Sequence, residues 1–200
     1  MFKHLHRAVL AAALLMAGHA SAASIDSVYT EIDSKTGCIT VDGGGEDDGD
    51  WAALTCNGYM GYPVIIDYAD ARESVAYGFT AGGKRAWESF DGFNAAGAKV
   101  EWRLLHDGAK TIPFATIMRW SVSDAEDADK QTEVLVVSKV GQLADRDACV
   151  VGLVLATGKP DANEMARKIA DEQAQSFACG DERTLVGEPL PSFSRQQLDQ

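Results

Sequence analysis

Every second residue between positions 100 and 104 is apolar, which predicts a β-strand with one buried face. Residues 106–108, His-Asp-Gly, form a turn sequence, and a second segment with the same period follows it. Two such segments joined by a short turn indicate a β-hairpin. The residues that we predict on one face of the second strand are Ile112, Phe114, Thr116, Met118 and Trp120.

Shorter segments rich in β-branched and aromatic residues predict further strands, because these residue types suit a pleated, half-buried surface. Turn residues such as Asn57, Gly58 and Gly61 separate them. Between the strands we predict acidic loops at 42–50 and 123–130, and a loop at 90–97 that buries its two phenylalanines. The predicted strands span residues 27–32 (a strand or a docked arm), 51–56, 62–68, 74–79, 133–140 and 149–157.

A single helix is predicted after the last strand. Pro160 and Asp161 are start signals, and Glu164 has the spacing of a capping box. Gly180 is a candidate stop. The apolar stripe of the helix comprises Met165, Ala166, Ile169, Ala170, Ala174 and Phe177. These elements predict one α+β domain over residues 23–180, in which a mainly antiparallel β-sheet carries one C-terminal helix. Residues 181–200 are polar, contain two prolines and are predicted as a flexible or loosely docked tail.

The first 22 residues have the order of a secretory signal peptide. Lys3 and Arg7 provide a positive start, residues 8–17 are apolar, and Ala20 and Ala22 fit the small-x-small cleavage pattern. The apolar run is about half of the ~20 residues that span a bilayer, which disfavours the alternative of a membrane anchor. We therefore predict cleavage before Ala23 and a soluble periplasmic protein.

The net charge of the mature chain restricts the partners that it can bind. Residues 1–22 contain two basic residues and no acid, so their removal changes the net charge from −12 to −14. Such a chain repels nucleic acid and anionic lipid, and it suits a basic protein partner or solubility alone.

The four cysteines of an exported chain predict two disulfides, for which three pairings exist. Local loop closure favours the pairs Cys38–Cys56 and Cys149–Cys179 over the other pairings. A metal site or a reactive thiol is disfavoured, because the sequence has no CxxC motif and one histidine outside the signal peptide.

No familiar catalytic motif is present in the sequence. His106 is the one histidine outside the signal peptide, and it falls in a turn. We therefore predict no catalytic residue, no cofactor and no resident metal. Two alternatives stay open, namely a hydrolase that uses paired carboxylates and calcium bound in an acidic loop. Arg103 and Arg119 are expected to pair with Glu101 or Glu133 across the sheet.

Aromatic and basic residues between positions 59 and 77 suggest a binding surface, since tyrosine and arginine are frequent in binding hot spots. The alternative is an ordinary half-buried sheet. The candidate surface residues are Tyr59, Tyr62, Arg72 and Tyr77.

Several motifs together resemble a family of exported, uncharacterised alpha-proteobacterial proteins. They are Ser27-Val-Tyr-Thr, Cys56-x-Gly-x-x-Gly-x-Pro-Val, Glu101-Trp-Arg-Leu, Pro113-Phe-Ala-Thr-Ile-x-Arg and Pro160-Asp-Ala-Asn, followed by Cys179. The resemblance covers the mature chain except its tail, and it implies export and one domain without any catalytic residue. In general character the chain is also similar to periplasmic lysozyme inhibitors, which are small, β-rich and often disulfide-bonded.

Three functional hypotheses follow from the sequence. The leading one is a non-catalytic binding or interaction module. The second is an acidic inhibitor of a basic cell-wall enzyme such as lysozyme, because opposite net charges speed association. The third is the carboxylate-dependent hydrolase.

The signal peptide gives the first testable prediction. When the whole sequence is expressed in a Gram-negative host, we expect a periplasmic protein that begins at Ala23 and lacks 22 residues. Intact-mass spectrometry and N-terminal sequencing of the periplasmic fraction check this. A chain that retains Met1 and sediments with membranes would instead support the anchor.

Overall fold

The computed structural model of the chain describes residues 23–33, 36–44, 50–81, 85–124, 127 and 129–197. The predicted signal peptide and parts of both acidic loops, including Glu46, Asp47, Asp48 and Glu126, lie outside these residues. Within them, no helix has both the length and the apolar character needed to cross a bilayer.

The described residues form twelve strands, one α-helix and a 3₁₀ turn at Tyr59–Gly61. The elements in chain order are β1 (Ser24–Glu31), β2 (Cys38–Gly43), β3 (Trp51–Cys56), β4 (Val64–Ala69), β5 (Arg72–Tyr77), β6 (Ala86–Phe90), β7 (Asn94–Asp107), β8 (Lys110–Ser123), β9 (Gln131–Lys139), β10 (Cys149–Leu155), α1 (Ala162–Gln173), β11 (Thr184–Val186) and β12 (Phe193–Gln197). This composition confirms the predicted α+β class with its single helix.

Three sheets organise the strands. A six-stranded sheet has the order β1-β7-β8-β9-β10-β11 and is antiparallel except for the β10–β11 pair. Strands β2 to β5 form a separate four-stranded antiparallel meander, and β12 pairs with β6. The sequence predicted one main sheet, and the separation of the meander into its own layer is an addition to that picture.

The predicted hairpin forms the second and third strands of the large sheet as β7 and β8, each 14 residues long. The register shifts at Leu104, so that Arg103 faces Ala115 while Leu104 faces Pro113. Phe114 therefore falls in a bulge, which re-aims its side chain. It packs in the cluster beneath the helix, whereas Met118 and Trp120 pack against the meander. The prediction that Phe114 shares their face is wrong for this reason.

Two hydrophobic cores lie on the two faces of the six-stranded sheet. The first is shared with the meander, and its largest fully buried side chains include Trp102, Trp120 and Tyr77. The second lies between the same sheet and α1. The molecule is thus layered as meander, central sheet and helix. Because both faces of the central sheet are covered, β9 and β10 are almost continuously buried.

Small residues let α1 lie close to the central sheet. Ala162, Ala166 and Ala170 are fully buried on the helix. At the contact on β10, a Cβ on Gly152 would lie only 2.9 Å from Cγ2 of Ile169. Asp161 occupies the N-cap as predicted, but its side chain makes no capping hydrogen bond. The helix ends at Gln173, well before Gly180. Phe177 lies in the segment after the helix and is buried there.

Both predicted disulfides are present. Cys38 and Cys56 face each other directly across β2 and β3. Cys149 joins β10 to Cys179 in the segment after α1, and so encloses the helix in a covalent loop. Cross-linking of this kind stabilises by about 3 kcal/mol in the chain-entropy view.

Three predicted loops or tails contain strands instead. Residues 184–186 and 193–197 form β11 and β12, so these parts of the tail are docked on β10 and β6, which agrees with the docked alternative and not with the flexible one. β2 extends to Gly43 into the predicted acidic loop, and β7 begins at Asn94 inside the predicted loop 90–97. Of the two phenylalanines in that loop, Phe90 is fully buried while Phe93 is 57% exposed.

A charged network joins α1 to β1 and β7. Arg167 of the helix donates to Glu101 of β7 through Nε (2.6 Å) and Nη2 (3.1 Å), and Ser27 donates to the same carboxylate (2.5 Å). Arg103 forms a two-bond pair with Asp171 (2.8 and 2.6 Å). Burial raises the pKa of Glu101, but the hydrogen bonds from Arg167 and Ser27 outweigh it and lower the pKa below its ordinary value. These contacts fix the helix orientation.

We expect Glu101→Gln to destabilise the fold by about 2 kcal/mol at pH 7, because it removes a charged hydrogen-bond acceptor from a buried site. Since the folded pKa of Glu101 is lowered, its contribution is present above the unfolded pKa of about 4.3 and is lost as the pH falls through the folded value. Urea unfolding between pH 7 and pH 3 measures both effects. The variant should lose less stability on acidification than the natural protein.

Glu172→Gln is the matched control, because Glu172 is exposed on the same helix. We expect it to change stability by less than about 0.5 kcal/mol. Equal effects of the two variants would show that the buried network does not hold the helix.

Candidate functional site

The described residues of the two predicted acidic loops lie at the same end of the strands. A series of backbone hydrogen bonds connects them, from Asp70 N–H to Asp50 C=O (3.3 Å) and from Asn94 N–H to Ala71 C=O (3.1 Å). It continues from Ser123 N–H to Phe93 C=O (2.8 Å). This end therefore gathers residues 50–51, 70–72, 91–93, 124, 127 and 129–130, and we call it the acidic end.

Strand direction explains this convergence. β3, β5, β7 and β9 begin at this end, whereas β4, β6 and β8 finish there. In an antiparallel arrangement the connections alternate between two ends, so loops far apart in sequence become neighbours. The acidic end has an excess of negative charge, since its basic residues are Arg72 and Lys130. Its described aspartates are Asp50, Asp70, Asp91, Asp124, Asp127 and Asp129.

Two large aromatic side chains are exposed among these aspartates. Phe93 is 57% exposed and Trp51 is 38% exposed. Tyr68 donates a hydrogen bond to the carboxylate of Asp50 (2.9 Å), the residue that precedes Trp51. That hydrogen bond raises the pKa of Tyr68. Exposed aromatic rings next to fixed carboxylates are suited to contacts with both the charge and the alkyl stem of lysine or arginine.

A cleft of about 480 Å³ opens at the acidic end. Asp91 and Asp124 both line it, and residues 189–192 contribute a further part of its surface. The backbone N–H of Asp91 donates to the carbonyl of Ser192 (3.0 Å), which attaches this late segment to the β6–β7 connection. The predicted tail thus forms part of the cleft instead of lying apart from it.

Asn94 holds the connection between β6 and β7 in place. Its Nδ2 donates to the Gly92 carbonyl (2.8 Å), the Phe90 carbonyl (3.3 Å) and Ser89 Oγ (3.2 Å). Its Oδ1 accepts from the backbone N–H of Glu73 on β5 (3.1 Å). The side chain is 8% exposed, so these hydrogen bonds replace those that water would make.

Glu73 is the partly buried carboxyl nearest to this connection. Burial raises its pKa, and the hydrogen bond that it accepts from the backbone N–H of Ala96 (2.7 Å) opposes the shift. Ala96 lies at the register shift of β7. Glu73 does not line the cleft, so its contacts indicate a role in supporting the bulge rather than in chemistry.

The four predicted surface residues do not form one surface. Tyr77 is only 2% exposed and packs against Trp102, so its assignment to a surface is wrong. Tyr59 packs against the same tryptophan, with ring centroids 6.3 Å apart. Tyr62 donates to Gln142 (2.9 Å). Arg72 is distant from these rings in the sheet and approaches Asp70 at the acidic end (3.6 Å). The three tyrosines belong to the core between the meander and the central sheet, whereas Arg72 does not.

The remaining predicted polar residues have partners in the sheets. Arg119 pairs with Glu133 (2.9 Å), as predicted, whereas Arg103 pairs chiefly with Asp171 of the helix. His106 lies in β7, between Asp26 (3.0 Å) and Thr111 (3.1 Å). Among the residues that the structure describes, no group of three or more histidine, cysteine or acidic side chains is arranged to hold a metal ion.

No protein-family model, curated protein or solved structure matches this chain. Functional inference therefore depends on the chain's own geometry.

The Asn94 contacts generate a stability prediction. Asn94→Ala should destabilise the fold by roughly 2–3 kcal/mol, because it leaves several buried backbone groups without a partner. Chemical denaturation measures the change. Asn57→Ala removes an exposed loop amide and serves as the control, with an expected effect below about 0.5 kcal/mol. Similar values for both variants would contradict the role given to Asn94.

Proposed function

We propose that this protein is an exported, non-catalytic interaction module that binds a basic protein through its acidic end. The main observation that supports this proposal is that six aspartates, two exposed aromatic rings and a cleft lie at the same end of the strands. Charge complementarity steers such an encounter, and aromatic side chains provide the buried contact that gives it affinity.

The distribution of ion pairs strengthens this proposal. Most arginines of the described residues are engaged by acids of the fold itself, as in Arg167–Glu101, Arg103–Asp171 and Arg183–Glu88. By contrast, Asp91, Asp127 and Asp129 form no ion pair with any part of the chain that the structure describes. The internal charges therefore largely compensate each other, and the acidic end keeps a net negative field.

A basic cell-wall enzyme is the specific partner class that this arrangement favours. Lysine and arginine side chains of such an enzyme match the aspartates, and a protruding loop could enter the 480 Å³ cleft. Occupation of the enzyme's own substrate groove by the acidic end would make the protein an inhibitor. This second candidate function rests on the same surface and differs only in its consequence for the partner.

The hydrolase alternative rests on Asp91 and Asp124, which line the same cleft. Glycoside hydrolysis needs two carboxyls with separate roles across the substrate. Turnover of a cell-wall glycan that disappears in Asp91→Asn and Asp124→Asn would replace the interaction proposal with this one.

The decisive experiment compares two triple variants of the mature protein. The test variant, Asp70→Asn with Asp91→Asn and Asp127→Asn, neutralises exposed acids at the acidic end. The control variant, Asp107→Asn with Glu172→Gln and Asp181→Asn, changes the net charge equally at exposed sites elsewhere. We expect the natural protein and the control to retain a basic protein from envelope extract at low salt, and the test variant to lose at least tenfold in affinity.

Purified lysozyme is the defined probe in the same experiment. Binding measured by calorimetry at low and at about 0.5 M salt should weaken with salt, because exposed charges are screened. A lytic assay on cell walls then separates inhibition from simple binding. Equal loss of binding in both triple variants would refute a localised site, and retention of no basic protein by the natural chain would refute the proposal as a whole.

A further inference from the structure

A second cavity, of about 200 Å³, lies at the other end of the strands. It is formed where β6 begins and where β9 connects to β10, and Arg195 in the middle of β12 also lines it. The residues that line it include Arg85, Arg146 and Arg195. Three arginines at one small cavity are unexpected in a chain with a net charge of −12.

Arg85 is held rigidly at this cavity. Its Nε and Nη2 donate to the two carboxylate oxygens of Asp67 (2.8 and 2.6 Å), and Asp67 is only 14% exposed. Nη1 of Arg85 has no hydrogen-bond partner among the described residues. A paired arginine with one free edge is already positioned to receive a ligand oxygen, so little further ordering is needed on binding.

Arg195 lacks a full partner of its own. Its Nε is buried without a hydrogen bond to any described residue, and it lies 4.0 Å from Oε1 of Glu88. That carboxylate is already occupied, because Arg183 donates to Oε1 (2.7 Å) and the backbone N–H of Val150 donates to Oε2 (2.8 Å). Arg195 therefore lines the cavity with a guanidinium whose Nε donor is not used by any described residue.

Arg146 approaches from the β9–β10 connection. Its backbone has a φ of +53°, a region that non-glycine residues rarely adopt. The conformation is maintained by a hydrogen bond from its N–H to the Gln142 carbonyl (2.8 Å) and by the N–H of Ala81, which donates to its carbonyl (3.3 Å). No described residue forms an ion pair with its guanidinium. Residues with such energetically unfavourable backbone conformations are concentrated at functional sites.

Each of the two acids that line the cavity, Asp145 and Asp147, contacts a donor of the fold itself. Asp145 accepts hydrogen bonds from the backbone N–H groups of Gln142 and Asp147 (both 3.2 Å). Lys139, whose side chain is 11% exposed, lies 3.4 Å from the carboxylate of Asp147 and 4.0 Å from that of Asp145. These carboxylates thus bind internal donors, while the unused donors at the cavity belong to arginine.

We propose that this cavity binds a small oxyanion, of the phosphate or carboxylate type, through Arg85, Arg146 and Arg195. Arginine donors match the oxygens of such groups in two-bond geometry. The volume is below the roughly 300–1,000 Å³ of sites for drug-sized ligands, so it suits one anionic group rather than a large molecule. The site goes beyond the proposed interaction with a basic protein and is independent of it.

The test uses the mature protein and calorimetric titration with inorganic phosphate, glycerol phosphate and acetate. We expect saturable binding of at least one probe, weakened at least tenfold in Arg146→Gln and in Arg195→Gln. Arg146 is exposed and has no partner among the described residues, so its variant keeps the site testable if Arg195→Gln fails to fold. Arg119→Gln, which changes an arginine on the central sheet, should bind as the natural protein does.

Each result has a defined meaning. Binding of inorganic phosphate alone assigns the site to the free ion, and binding of glycerol phosphate as well assigns it to a phosphate group on a larger molecule. Binding of acetate extends the class to carboxylates. Absence of binding for all three probes, or equal weakening by Arg119→Gln and Arg146→Gln, would overturn the proposal.

Discussion

Burial of the central sheet on both faces is the constraint on which the rest of the structure depends. The meander covers one face, and α1 covers the other. A strand in that position has no solvent-facing side, so each polar side chain on it needs a partner within the protein. Glu101 and Arg103 meet this requirement through Arg167, Asp171 and Ser27, which is why the helix is docked by charge as well as by alanine packing.

The same constraint decides what could be predicted from the sequence. The long hairpin, the helix and the disulfide pairing follow from local patterns, namely alternation, capping signals and loop closure. The division into three sheets does not, because the alternation of apolar residues along a strand does not indicate which layer will cover it. Phe114 shows the limit, since a one-residue bulge moved it to the other core while its neighbours kept the expected face.

The candidate sites were harder to predict for a related reason. The acidic loops were visible in the sequence, but their meeting at one end depends on strand order, which sequence period does not encode. Tyr77 was chosen for its residue type, and its burial is a property of the meander packing on Trp102. The arginine cavity combines residues 85, 146 and 195, whose contacts depend on β12 returning to β6. Only the tertiary structure shows that these three arginines lie at one cavity.

The unpaired edge of strand β2 is a second feature of the structure on which the negative net charge has an effect. Among the residues that the structure describes, β2 pairs only with β3, and most of its own residues are exposed, including Ile39 at 68% and Val41 at 65%. An open strand edge with β-branched residues is a template on which further chains can add and grow into aggregates. Mutual repulsion between highly negative copies opposes that growth, so the charge acts as colloidal protection for the uncapped sheet whether or not a partner is bound.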